Sequence, residues 1–276
     1  DNTSGQRNDA PGYITITGTP GYAVEFGTVA SMAANIYRPI TITNDLPVKL
    51  AGWNHMSGGD WGGLTVTTNA DFTIEGIVRE NNLTAGAQVL QLIKNGSATL
   101  YLNGDSASDP KGYSGPVQIN AGLVKIGSGG ALGRTAAGKY VTVAAGAALD
   151  LNGQTVTTAS KELRPTGTGI GGTGAVLCSA GSASWAPLVT LLGATTIGGA
   201  GDTNISSVVS GGFTVTKAGL GTLTFSGIAA NTFTGLNVNG GTAVLNKTAG
   251  LNAVNGGPTI NAGTLKLNAA DQIPNA

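Results

Sequence analysis

Leu64-Thr-Val-Thr-Thr-Asn-Ala-Asp-Phe-Thr-Ile74 is the stretch that decides the fold. Apolar residues at 64 and 66, then at 72 and 74, alternate with threonines, and a short polar turn divides the two runs. Alternation over so few residues is the pattern of half-buried β-strands. The same paired unit recurs on both sides. Ile14/Ile16 goes with Val24/Phe26, Ile40/Ile42 with Val48/Leu50, and Leu90/Leu92 with Leu100/Leu102. Val117/Ile119 then goes with Val124/Ile126, and Val141/Val143 with Leu149/Leu151. The units start at 14, 40, 64, 90, 117 and 141, so they are 26, 24, 26, 27 and 24 residues apart.

The register blurs between 161 and 187, where Leu163 and Ala175-Val-Leu177 are the candidates, and then returns. Val189/Leu191, Phe213/Val215 with Leu223/Phe225, Leu236/Val238 with Val244, and Ile260 with Leu265/Leu267 carry it to the end. Short period-2 runs repeating every ~25 residues fit one coil of a β-helix per unit. The expectation is an all-β, single-stranded β-helix, or β-solenoid, of about eleven coils of 22–27 residues. At ~4.8 Å per rung the rod would be ~50 Å long. Inward positions would supply Val, Ile, Leu and Phe, and outward ones Thr, Lys, Asn and Gln. Glycine pairs at 58–59, 129–130 and 240–241 are expected at corners needing positive φ. A β-sandwich would also alternate, but with longer, less periodic strands and more aromatics. Residues 1–12 read as a polar N-terminal arm and 13–276 as one continuous solenoid, irregular at about 161–187.

Composition agrees. Charged residues make up 10% of the chain, against about 25% in an average soluble protein, so hydroxyls and amides must wet the surface. The 46 glycines among 276 residues are too many for helix, where each costs about 1 kcal/mol relative to alanine. Lys plus Arg equals Asp plus Glu at 14 each, without long basic runs, which argues against nucleic acid as a partner. A single cysteine, Cys178, rules out an intramolecular disulfide framework and reads as a small buried apolar residue. The uncharged part of 165–201 is broken by Pro187 and many small polar residues, so no membrane insertion is expected. The chain begins at Asp1 and reads as mature, its export signal removed.

Gly212-Phe-Thr-Val-Thr-Lys-Ala-Gly-Leu-Gly-Thr-Leu-Thr-Phe-Ser-Gly227 resembles the autotransporter-associated β-strand repeat. The pattern continues in Asn231-Thr-Phe-Thr-Gly235 and Leu236-Asn-Val-Asn-Gly-Gly-Thr242, with echoes at Ile260–Leu267 and Ala270–Asn275. A looser copy runs from Lys94-Asn-Gly-Ser-Ala-Thr-Leu100 through Tyr113–Gly115, Ile119–Gly122 and Val141–Gly146 to Leu149–Gly153. The resemblance implies a right-handed β-helical passenger, secreted or held on the outer surface of a Gram-negative-type bacterium. It carries no catalytic residue and no cofactor. It lacks the membrane β-barrel that accompanies such passengers, which implies a cut precursor or a different export route.

Candidate chemistry is sparse. A polysaccharide-cleaving β-helix needs acids stacked on adjacent coils, and Asp45 and Asp71 are the best pair, each preceding the second strand of its coil. Solvated turn residues are the competing reading. Asp202 after Gly198-Gly-Ala-Gly201 is a near miss for a Ca²⁺-binding nonapeptide, and Gly167–Gly172 matches a dinucleotide fingerprint by letters only. His55 is the only histidine, so neither a multi-His metal site nor a Ser-His-Asp triad can form without it. Its neighbourhood is aromatic: Trp53-Asn-His-Met-Ser-Gly-Gly-Asp-Trp61. Trp53 and Trp61 could stack on sugar rings, with Asn54 and Asp60 as hydrogen-bonding partners, or fold back to cap the core.

Function follows in three readings. The first is a structural protein of the cell surface or extracellular matrix, not an enzyme, stacking with copies of itself end to end as a filament subunit. The second is an adhesin binding surface glycans through the 53–61 loop. The third is the polysaccharide-cleaving enzyme.

Overall fold

The computed structural model describes residues 12–16, 24–26, 40–50, 53–55, 63–80 and 89–274. They form a β-solenoid whose coils have three faces, and every strand ladder among the described residues is parallel. The first face is a nine-stranded sheet that begins with Gly12–Ile16, Ile40–Asn44 and Gly63–Thr68 and ends with Val189–Thr190 and Val209–Ser210. The second face runs from Val24–Phe26 through Phe72–Ile74 and Leu123–Ile126 to Thr214–Lys217. The third is made by Trp53–His55 and Val78–Glu80, and later by Thr155–Val156, Ser182–Trp185, Asp202–Ile205 and Thr222–Gly227. Gly235–Lys247 pairs with strands of the second and third faces in turn, joining both into one fifteen-stranded sheet.

The alternation quoted first explains the core. Gly63–Thr68 buries every second residue, and the register lays those residues in columns. On the first face Leu64, Leu92, Val117, Val141, Leu163, Val189 and Val209 lie one above another, all buried. On the second, Val48, Phe72, Leu100, Val124, Leu149, Val176 and Ile197 do the same. Each rung covers the apolar surface of the one below at ~4.8 Å, so burial continues along the axis.

Two expectations need correction. Coil length is less uniform than 22–27: the pairing Leu64–Leu92 closes a 28-residue coil, and Val189–Val209 a 20-residue one. Among the described residues nine coils carry a strand on the first face, rather than about eleven. The last rungs cross that face with isolated backbone bonds in place of strands, as in Thr232 N–H to Val209 O at 2.9 Å and Asn231 N–H to Asn252 O at 2.9 Å. The stretch where the pattern blurs holds Glu162–Pro165, Val176–Cys178 and Ser182–Trp185 in register, with a 3-10 turn at Ile170–Gly172. Among the described residues that turn is the only helical element.

Where strands lapse, side chains stand in for backbone. Asn231 is buried between coils; its Oδ1 accepts Val209 N–H at 2.8 Å and its Nδ2 donates to Ala253 O at 2.8 Å. Asn231→Ala leaves both backbone groups unpaired and is expected to cost about 2–4 kcal/mol, measured by denaturant unfolding.

The corner between second and third faces shows why glycine recurs. Gly199, Gly219, Gly241 and Gly263 stack there with φ of +108°, +74°, +61° and +88°. A Cβ on Gly219 would fall on the Gly199 carbonyl oxygen, so both conformation and space demand glycine. Gly129 and Gly130 do not have positive φ; there the need is room, since a Cβ on Gly129 would meet the Thr155 carbonyl. The pair at 58–59 lies outside the described residues.

Candidate functional site

Between Glu80 and Thr155 the third face has no strand among the described residues, and buried polar side chains hold the coils together there instead. Glu80 is at the centre, only 2% exposed. Its Oε2 accepts Leu90 N–H at 2.8 Å; its Oε1 accepts the Ser114 hydroxyl and lies 3.4 Å from Arg134 Nη2. Arg134 Nε donates to Gly112 O at 2.7 Å. Beside it Tyr113 donates to Ala131 O at 3.1 Å, and Lys161 Nζ donates to Leu132 O at 2.6 Å while lying 4.5 Å over the Tyr113 ring. At the rim, Arg79 donates through Nε and Nη2 to Asp109 Oδ2 at 3.0 and 2.6 Å, which holds that carboxyl below its ordinary range.

The electrostatics follow from burial. Loss of water pushes the Lys161 ammonium down to about 7; the Glu80 carboxylate opposes that shift and Arg134 adds to it. Burial, with Glu80 adding, pushes the Tyr113 hydroxyl up. Glu80, Tyr113 and Lys161 are enclosed, so the cluster ties successive coils rather than meeting a ligand.

Lysines also occupy the core. Lys94 lies in an inward column between Val66 and Ile119, and Lys217 between Ile197 and Val238, which corrects the assignment of lysine to outward positions. Their stems lie among apolar side chains and their ammonium groups reach corner carbonyls. Lys94 Nζ donates to Asn95 O, Gly96 O and Ala121 O at 2.9, 2.8 and 2.9 Å. Lys217 Nζ repeats the arrangement on Ala218 O, Gly219 O and Gly240 O at 2.7, 2.9 and 3.3 Å. Lys247 Nζ donates to Ser207 O at 2.7 Å. Burial lowers all three, Lys94 and Lys247 to about 8.

The sites expected from sequence fare differently. Trp53 and Asn54 belong to the strand Trp53–His55, Asn54 opposite Arg79, while Asp60 and Trp61 lie outside the described residues. Asp45 and Asp71 do not stack. Val48 pairs with Phe72, which sets Asp71 beside Pro47, two residues from Asp45. Asp45 Oδ1 accepts Asn69 Nδ2 at 2.8 Å, whereas Asp71 Oδ1 accepts Thr99 N–H at 3.1 Å. Asp202 likewise accepts Thr222 N–H from the next coil at 2.7 Å. Cys178 is buried and free. Among the described residues no group of three or more His, Cys, Asp or Glu could hold a metal ion.

Sequence comparison adds one relationship. Residues 92–126 and 215–242 match the passenger-associated-transport-repeat family. No curated protein and no solved structure matches the chain. The chain is thus a β-solenoid carrying two repeats of the autotransporter-passenger type. Each matched segment contains one carbonyl-capping lysine at its third position, Lys94 in the first and Lys217 in the second.

Proposed function

We infer that this chain is a structural solenoid of the outer surface or extracellular matrix of a Gram-negative-type bacterium, not an enzyme, and that it builds length by adding rung upon rung, copies stacking end to end. The observation that supports this is the rung Thr259–Leu267. It pairs on one side with Gly235–Lys247 and has no second partner among the described residues. Ile260 and Leu267 are 52% and 51% exposed, although Val238 and Leu245, which they cover, are fully buried. A parallel edge with uncovered core residues recruits further β-structure. A head-to-tail contact of unlike ends that does not close gives a filament.

Replacing Ile260 and Leu267 together by lysine tests this. The native chain is expected to lengthen with concentration in sedimentation velocity, while the double variant stays as single rods with unchanged β circular dichroism. A native chain that remains monomeric at every concentration overturns end-to-end assembly.

A further inference from the structure

At the corner where the third face turns into the first, three successive coils line an open cleft of about 430 Å³, within the range of small-ligand sites. Its back is a stacked row, Tyr140 beside Glu162 and Glu162 beside Leu188, fixed by the register Tyr140–Glu162 and Leu163–Val189. Arg164 lies 3.2 Å from the Tyr140 ring centroid and donates from Nε to Glu162 Oε1 at 2.9 Å, which holds the ring and neutralises the carboxylate.

Three features remain unused by the fold. Ser160, 2% exposed, is one of the residues that line the cleft, and its buried hydroxyl has no hydrogen-bond partner. A buried hydroxyl left unpaired costs about 1–3 kcal/mol, which a ligand hydroxyl would recover. Leu188 presents an apolar wall, 54% exposed. Lys139 forms no ion pair among the described residues, so with Glu162 and Arg164 cancelling, the cleft carries one uncompensated positive charge.

We propose that this cleft binds an acidic sugar, a pyranose bearing a carboxylate such as a uronic acid residue of a polysaccharide. The C–H face of the ring packs on Leu188. Ring hydroxyls meet Ser160 and the neighbouring hydroxyls of Thr135 and Thr158, and the carboxylate meets Lys139. The site uses none of residues 53–61 and does not depend on end-to-end assembly.

The test is amide chemical-shift titration of the full chain with galacturonic acid and, separately, galactose. The expected result is saturable shifts confined to 135–140, 158–162 and 186–188, with the acid bound about tenfold more tightly than the neutral sugar. Lys139→Gln should remove that difference, and Ser160→Ala should weaken both sugars about three- to tenfold, with amides elsewhere unmoved. Equal binding of both sugars by the native chain overturns the acidic assignment. No saturable shift up to roughly 50 mM, or shifts confined to other residues, overturns the site.

Discussion

Stability should rise by about 3–4 kcal/mol between pH 7 and pH 10, with Lys161 the main source. Its ammonium titrates at about 7 in the fold and near 10.5 in the unfolded chain. Between those values the unfolded chain binds more protons, so raising the pH favours the fold. Below pH 7 both states are charged and the cost of burying the ammonium is present in full. Lys94, Lys217 and Lys247 are also lowered by burial and act in the same direction. Tyr113 acts oppositely: its raised folded value means stability is lost as the unfolded hydroxyl ionises above about pH 10. The optimum therefore lies on the alkaline side of neutrality. Denaturant unfolding at intervals from pH 6 to 11 measures it. Lys161→Met should flatten most of the rise, and a flat or falling profile for the native chain contradicts the burial of a charged Lys161.

Glu80→Ala should lower the unfolding free energy by about 3–5 kcal/mol, the cost of removing one partner from a buried ionic network. The change strands Leu90 N–H and the Ser114 hydroxyl and leaves Arg134 and Lys161 without the carboxylate between them. Since Glu80 raises the Lys161 value, its loss should also move the alkaline gain to lower pH. Glu80→Gln keeps the acceptor for Leu90 but not the charge, so it should fall between native and alanine. A loss below about 1 kcal/mol, the scale of an exposed ion pair, would mean the cluster is open to water.

The parts of this fold that could be read from the chain are those written in period 2. Leu64/Val66 and Phe72/Ile74 announce their columns because one coil repeats the next with little change. The third face could not be read so, because among the described residues its strands lapse between Glu80 and Thr155 and leave no alternation to follow. The Glu80 cluster draws on residues 80, 114, 134 and 161, whose spacing carries no motif. One signal was available. Glu80 shares the parity of buried Val78, as Lys94 does of Leu92 and Lys217 of Val215, so alternation points these charges inward. Assigning charge outward by residue type overrode it. The Asp45–Asp71 pair failed for another reason: both precede second-face strands, but at different offsets, and stacking tolerates no two-residue slip.

The lysines give the matched repeat a physical meaning. A coil must turn a corner where backbone carbonyls point inward and no strand partner exists. One ammonium on a long apolar stem reaches carbonyls of its own turn and of a neighbouring coil, as Lys94 and Lys217 both do. Stacking is then secured at each repeat by the lysine itself.

Electron microscopy of the untagged protein at neutral pH tests the central claim most directly. The account predicts long unbranched fibres whose axial repeat is a whole number of ~4.8 Å rungs. Globular monomers that hydrolyse polysaccharide would contradict it.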